Sequence, residues 1–279
     1  MPDLTPEVPS ALSPLVRRVV ADNPGLMTGP GTNTYLVGID EVAVIDPGPD
    51  VGRHVDAIVG ASMRERVRWV LLTHTHPDHW PAAARIAELT GAKIGGFKPF
   101  PRADEVTLSL DLVLDDGDTV DGTEFRLEAL HTPGHAPNHL CFWLDEERVL
   151  FTGDHVLNGT TTVVNPVRGG DMIKYLASLE RLRKLKRIAR ICPGHGDVID
   201  DPSTVLEEYV AHRKLRERQI LKLLKEQPRT IPKIVSILYT DTPEGLIDMA
   251  RRQVQAHLLK LKAEGKVEGS SFKGSWKLA

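Results

Sequence analysis

The chain has only two cysteines, Cys141 and Cys192, far apart and in no CxxC pattern. A disulfide framework is therefore not expected, and a reducing compartment fits. Both cysteines read as small buried apolar side chains. No apolar run approaches the roughly 20 residues that span a bilayer, so no membrane role is expected. The opening residues, Met1-Pro2-Asp3-Leu4-Thr5-Pro6-Glu7, have neither a basic stretch nor an apolar one. A secretory signal is not expected, and the cytoplasm is the expected location. Internal repeats and low-complexity segments are also missing.

What is present is ordinary in amount and uneven in distribution. The 279 residues are 41% apolar and 26% charged, a globular composition with room for one large core and a small second domain. The net charge of −3 hides an asymmetry: from Val205 onward there are 15 basic and 9 acidic residues, and before it 20 and 29. A basic tail on an acidic body fits a module that faces a polyanion, or two domains that attract each other.

Along the first 200 residues, strand-like and helix-like runs alternate. Val42 to Ile45, Trp69 to Leu72, Glu124 to Leu130, Leu140 to Trp143, Arg148 to Phe151 and Ala189 to Ile191 read as strands. Helices are predicted over about 52–66, about 81–90 and from Met172 to Leu185, where leucines recur at helical spacing. That mixture predicts a layered α/β or α+β domain. The rhythm changes near Pro202. One long charged helix to Gln227 is followed by helices over Ile231–Tyr239 and Ala250–Glu264, then a small hairpin, the order of a winged helix. The predicted division is 1–203 and 204–279.

The segment Thr73-His74-Thr75-His76-Pro77-Asp78-His79 follows a buried strand with the spacing H-x-H-x-D-H. Histidines at i and i+2 on extended chain point the same way and can reach one cation. Asp78 and His79, at the start of the next helix, can face a second. Imidazole nitrogen and carboxylate oxygen are donors zinc prefers. Three further segments each put such a side chain just past a strand: Thr132-Pro133-Gly134-His135, Thr152-Gly153-Asp154-His155 and Pro193-Gly194-His195. Loops at strand ends carry chemistry because a rigid sheet positions them. Asp46 reads equally as a hydrogen-bond partner for a ligand histidine or as a plain turn residue in Asp46-Pro47-Gly48. His131 and His155 read as structural.

These four segments, in this order, resemble the metallo-β-lactamase superfamily over about residues 15–200. The resemblance implies an αββα sandwich with the site at one sheet edge. It implies two zinc ions, one on His74, His76 and His135, the other on Asp78, His79 and His195, bridged by Asp154. A shared water or hydroxide would be the nucleophile, with Asp78 in the catalytic centre and His139 as a candidate proton donor. Asn33 and Tyr35 would line the cleft. Asn23-Pro24-Gly25, the run Gly29 to Gly38, the run His135 to His139, and the tail from His212 to Leu278 resemble the β-lactamase-like protein 2 family. That resemblance implies a zinc-dependent endoribonuclease on single-stranded RNA. A branch sharing Gly31-Thr32-Asn33-Thr34-Tyr35 resembles thioesterases, so a thioesterase or acyl-ester hydrolase, with weak β-lactamase activity, is the alternative. A homodimer is compatible with either reading. In the tail, Arg251, Arg252, Lys260 and Lys262 are expected to be exposed near the ends of their helix and to hold a flexible polyanion.

Overall fold

The computed structural model describes residues 4–98, 108–185, 187–269 and 271–279. It divides into two compact units. One takes in Met1–Thr132, Asn138–Thr161 and Lys186–Pro202; the other takes in Pro133–Pro137, Thr162–Leu185 and Ser203–Ala279.

The first unit holds two sheets. In chain order its first elements are β1 (Ser10–Ala11), β2 (Val16–Val20), β3 (Asn33–Val37), β4 (Glu41–Ile45), α1 (Gly52–Ala61), β5 (Arg66–Leu71), α2 (Ala83–Thr90), β6 (Lys93–Gly96) and β7 (Leu112–Val113). These strands lie side by side in sequence order, antiparallel from β1 to β4 and parallel from β4 to β7. The second sheet is built from β8 (Thr119–Asp121), β9 (Arg126–His131), β10 (Leu140–Leu144), β11 (Val149–Gly153) and, after α3 (Met172–Arg183) in the chain, β12 (Arg190–Pro193).

Side chains alternate across each strand, so a strand buried on both faces reads as a continuous apolar run. β4 is such a strand. Ala43 and Ile45 join the core between the sheets, with Leu71, Leu127, Phe142 and Phe151. Val42 and Val44 join a second core, where Val55 and Ile58 of α1 and Ala83 and Ile86 of α2 cover the outer face.

The sheet directions bring the chemistry together. β4 and β5 end at the same edge because they are parallel. β9 ends, β10 begins and β11 ends at one edge of the second sheet. Backbone bonds lock the two edges: Leu140 N donates to Thr73 O at 2.7 Å, Asn33 N to Gly194 O at 2.8 Å, and Gly194 N to Gly153 O at 2.8 Å.

The second unit contains α3 and, in the tail, most of α4 (Pro202–Glu226), then β13 (Arg229–Thr230), α5 (Ile231–Leu238), α6 (Ile247–Ala263), β14 (Val267–Glu268) and β15 (Ser275–Leu278). Ile220, Leu224, Ile234, Val254, Leu258, Val267 and Trp276 form its core. The predicted hairpin is β14–β15, and β13 adds a third strand on the other side of β15. α6 starts three residues earlier than predicted, after the turn Glu244–Leu246.

Of the four cations expected to be exposed on the last helix, Lys262 is exposed and Arg251, Arg252 and Lys260 are partly covered. Arg252 stacks on Phe272 with its guanidinium 4.1 Å from the ring centre, and Lys260 donates to Glu217 and Glu264. Lys262 donates to Gly269 O at 2.7 Å, and Arg251 is half-buried. A row of exposed cations lies on α4: Lys214, Arg218, Lys222 and Lys225. Spacings of four, four and three residues keep them on one face. No described helix is long and apolar enough to cross a membrane.

Candidate metal centre

The site begins with a strained corner. Asp46, directly after β4, has φ of +50° and is almost fully buried. Asp tolerates this left-handed conformation better than most residues. The corner aims its carboxylate at the loop after β5. Thr73 N donates to Oδ1 at 2.8 Å, Thr73 Oγ1 to Oδ2 at 2.6 Å, and His79 Nδ1 lies 2.8 Å from Oδ2. Asp46 is thus a turn residue whose carboxylate also takes a hydrogen bond from His79.

These contacts fix where the imidazole hydrogens sit. The Asp46 carboxylate only accepts, so His79 carries a hydrogen on Nδ1 and turns Nε2 inward. Thr73 spends its single hydroxyl hydrogen on Asp46, so it accepts from His74 Nδ1 at 3.0 Å. His195 Nδ1 donates to Gly31 O at 3.2 Å, and His135 Nδ1 to Val163 O at 2.8 Å. Four imidazoles thus turn Nε2 inward, free to become a lone pair once that nitrogen gives up its proton to a cation. Backbone and carboxylate partners on the far nitrogen are the usual way a metal-binding histidine is held.

Those inward nitrogens converge on carboxylates and on each other. His79 Nε2 lies 3.5 Å from Asp78 and 3.4 Å from Asp154, and His195 Nε2 lies 3.1 Å and 3.3 Å from the same two. His74 Nε2 lies 2.9 Å from His76 Nδ1. Two groups result: His74, His76, His135 and Asp154; and Asp78, His79, Asp154 and His195. Within each, the ligand-type atoms lie within 4.8 Å of one another, and Asp154 is common to both.

The donors fit divalent cations on chemical grounds. Burial works against a charge on Asp78, yet His79 and His195 hold its carboxyl down at about 2. Burial also works against protonation of His79, but Asp78, Asp154 and Asp46 pull it well above the ordinary imidazole value. His195 is raised in the same way, against burial, by Asp154 and Asp78. Burial, with His79 and His76 beside it, pushes His74 well down. Ionised carboxylates thus hold protons on His79 and His195 in a shielded pocket that attracts positive charge, and a divalent cation would take the place of those protons, as nitrogen-and-oxygen zinc sites require.

Two glycines leave the room. A Cβ on Gly194 would stand 2.8 Å from Asp154 Oδ1 and 2.9 Å from His79 Cε1. One on Gly153, at φ +45°, would stand 2.5 Å from Thr73 Oγ1.

The remaining candidates take supporting places. Asn33 Nδ2 donates to Pro193 O and Gly196 O, and Tyr35 OH donates to Pro193 O at 2.8 Å. Both are buried and hold the loop that presents His195, in place of the cleft-lining role expected of them. His139 is fully buried, stacked on His74 at 5.0 Å between centroids, with Nδ1 3.0 Å from Thr132 Oγ1. His139 thus belongs to the same buried imidazole cluster, as deep as His74 and His79. His131 stacks on Phe97, and His155 is buried. Both cysteines are buried thiols in no disulfide, with Cys192 pushed up to about 12 by burial.

Sequence reasoning missed two fully buried polar residues, Arg18 and His54. Arg18 bonds Asp197, two residues beyond His195, at 3.1 Å. Its signal was an arginine among the valines of β2.

A buried set of imidazoles and carboxylates at the common edge of two sheets defines a class: a metal-binding hydrolase site. The comparisons give the same class by an independent route. The profile of the metallo-beta-lactamase superfamily matches residues 27–195, and that of the beta-lactamase associated winged helix domain matches 230–276. The beta-lactamase-like protein 2 homolog of Caenorhabditis elegans is 38% identical over 98% of this chain and 92% of its own length. An atrochrysone carboxyl ACP thioesterase of Aspergillus fumigatus is 34% identical over 99% of this chain and 89% of its own. The crystal structure of a metallo-beta-lactamase family protein from Thermus thermophilus has a TM-score of 0.79 at 26% identity, covering 96% of this chain and all of that one. The chain belongs to the metallo-β-lactamase superfamily, with the winged helix that accompanies one part of it.

Proposed function

We propose that this hydrolase is a binuclear zinc enzyme that cleaves single-stranded RNA internally. His74, His76 and His135 would hold one ion, Asp78, His79 and His195 the other, and Asp154 both. Bound there, such ions supply a nucleophile at neutral pH and stabilise negative charge on the attacked group. The chain's own contribution is orientation. Asp46, Gly31 and Thr73 keep hydrogens on the outer nitrogens of His79, His195 and His74, and burial keeps bulk water from competing.

The site chemistry suits phosphodiesters, thioesters and lactams alike, so the substrate has to be argued elsewhere. The observation that favours RNA is the stripe Lys214, Arg218, Lys222 and Lys225. The four charges climb α4 at about 6 Å per four residues. Phosphate contacts dominate nucleic-acid affinity, and a row of cations follows a backbone without reading bases. The resemblance of the sequence to the β-lactamase-like protein 2 family, which implies an endoribonuclease, supports the same reading. The thioesterase named among the relatives supports the second reading, acyl-thioester hydrolysis.

Purified protein given single-stranded RNA, duplex DNA and an acyl-thioester, each with and without chelator, separates the readings. Chelator-sensitive cleavage of RNA alone is the expected result. Turnover of the thioester with RNA left intact would replace the first reading with the second.

A further inference from the structure

His54 lies outside the metal-binding groups, on α1, and is fully buried. Its ring packs beneath the corner Asp46-Pro47-Gly48. A Cβ on Gly48, which has φ of +75°, would stand 3.0 Å from His54 Nε2. Both ends of the imidazole are engaged. Nε2 lies 3.1 Å from Thr34 Oγ1, and Nδ1 lies 2.7 Å from Glu7 Oε2.

The direction of each bond follows from counting hydrogens. Thr34 donates its only hydroxyl hydrogen to Asp46 O at 2.7 Å. Toward His54 it can only accept, so His54 Nε2 carries a hydrogen. On the other side, one hydrogen is shared between His54 Nδ1 and the Glu7 carboxylate. The other Glu7 oxygen accepts from Asp22 N at 3.1 Å. Glu7 is itself fixed: its N donates to Val20 O at 2.8 Å, and Pro6 bridges to Val20. The chain of contacts therefore runs from the segment before β1 through Glu7, His54 and Thr34 to the carbonyl of Asp46. From there the Asp46 side chain continues to His79, and Gly48 N donates to His79 O at 2.8 Å.

A corner holding residues at φ +50° and +75° is costly, and persists only where its surroundings over-determine it. Thr34 ties the Asp46 carbonyl and His54 fills the space under Gly48. We propose that Glu7 and His54 are positioning residues for His79, acting through Thr34 and the Asp46 corner. The proposal rests on the reading of His79 as a metal ligand. It predicts an unequal effect. Loosening the corner should weaken the ion held by Asp78, His79 and His195 most, and the ion held by His74, His76 and His135 less, because Asp46 touches His79 directly and reaches His74 only through Thr73.

The test compares zinc release to a chelator from wild type, Glu7→Ala, Thr34→Val and Glu7→Gln, in the full chain. Glu7→Gln is the rescue, because its amide hydrogen can satisfy His54 Nδ1 while its oxygen still accepts from Asp22 N. Outer partners of metal ligands typically carry about 10–100-fold in affinity. The expected result is two ions in wild type, one of them lost at least about tenfold more readily from Glu7→Ala and Thr34→Val, and wild-type retention in Glu7→Gln. Melting of the metal-free forms checks the fold. A role in folding alone would lower the melting temperature and leave the ratio of the two zinc affinities unchanged, which overturns the proposal, as does identical release from all four proteins. Wild type that binds no zinc overturns the metal reading itself, a failure separable from the others.

Discussion

The sheet edge that carries Asp46, Asp78 and Asp154 and the α4–α6 layer both bury ionisable groups, and they do so with opposite balances. At the edge, Asp78 and Asp154 face the inward Nε2 atoms of His79 and His195, Asp46 accepts from His79 Nδ1, and the contacts of four histidines lie on their outer nitrogens. In the α4–α6 layer, cations outnumber acids and are met from within. Arg213 lies over Tyr175 and donates to Thr162 O; Arg216 lies over Tyr239 and donates to Leu238 O. Glu217 takes Lys260 at 3.0 Å, with His257 at 3.5 Å. Buried charge is expensive unless matched. The layer matches its charge with carbonyls, rings and one carboxylate, whereas the edge has an excess of inward acceptors that a cation would meet. Charge burial alone thus does not mark a site; the direction in which the donors and acceptors point does.

The largest effect should come from Asp154→Ala. It removes the one oxygen donor shared by both groups, so activity should fall by well over the roughly 10–100-fold that outer partners carry. Turnover and metal content measured together check this, and a variant that keeps both would dissolve the contrast drawn above. Next comes Asp46→Asn, expected to lower metal affinity about 10–100-fold through misoriented His79. An unchanged affinity would mean that Asp46 serves the backbone corner alone.

The α4–α6 layer should answer to acid instead. Burial, followed by Arg213, Arg216 and His257, lowers His212 to about 4, and burial lowers His257. Unfolded histidines take up protons below about 6.5, where these folded ones do not, so the unfolded chain binds more protons in that window. Stability is therefore lost as pH falls from about 6.5 toward 4. Glu217, lowered by its His257 and Lys260 contacts against the effect of burial, acts in the same direction at lower pH. Glu217→Ala should cost about 1–3 kcal/mol by thermal melting, the cost of leaving buried donors unpaired. A melting temperature flat between pH 6.5 and 4 would show that these histidines do not matter to folding. The smallest effect belongs to the surface. Changing Lys214, Arg218, Lys222 and Lys225 to Gln should raise KM for RNA several-fold and flatten its salt dependence by about 0.7 per lost phosphate contact. Hydrolysis of a small uncharged ester should not change; equal damage to both substrates would end the nucleic-acid role of α4.

Much of this was legible in the chain. The apolar run Trp69–Leu72 leading into Thr73–His79 announced both β5 and its cargo, because a buried parallel strand has few other sequence signatures. The contacts between distant segments were not legible. β2 escaped because Arg17 and Arg18 interrupt its valines, and the acids that accept them, Glu65 and Asp197, lie far along the sequence. Asp46 stayed ambiguous because one residue both turns the chain and accepts from His79. His139 carries the right side chain for proton transfer, and its stacking on His74 was not visible in the chain. Arg252 looked exposed by helical spacing until Phe272, twenty residues on, covered it.

The central claim is that the edge holds two cations through one shared carboxylate. Elemental analysis of protein purified with metal present tests it most directly. About two zinc ions per chain in wild type, and a loss of both from Asp154→Ala, is the predicted result. A folded wild-type protein that holds no divalent metal, or an Asp154→Ala variant that keeps two, would contradict it.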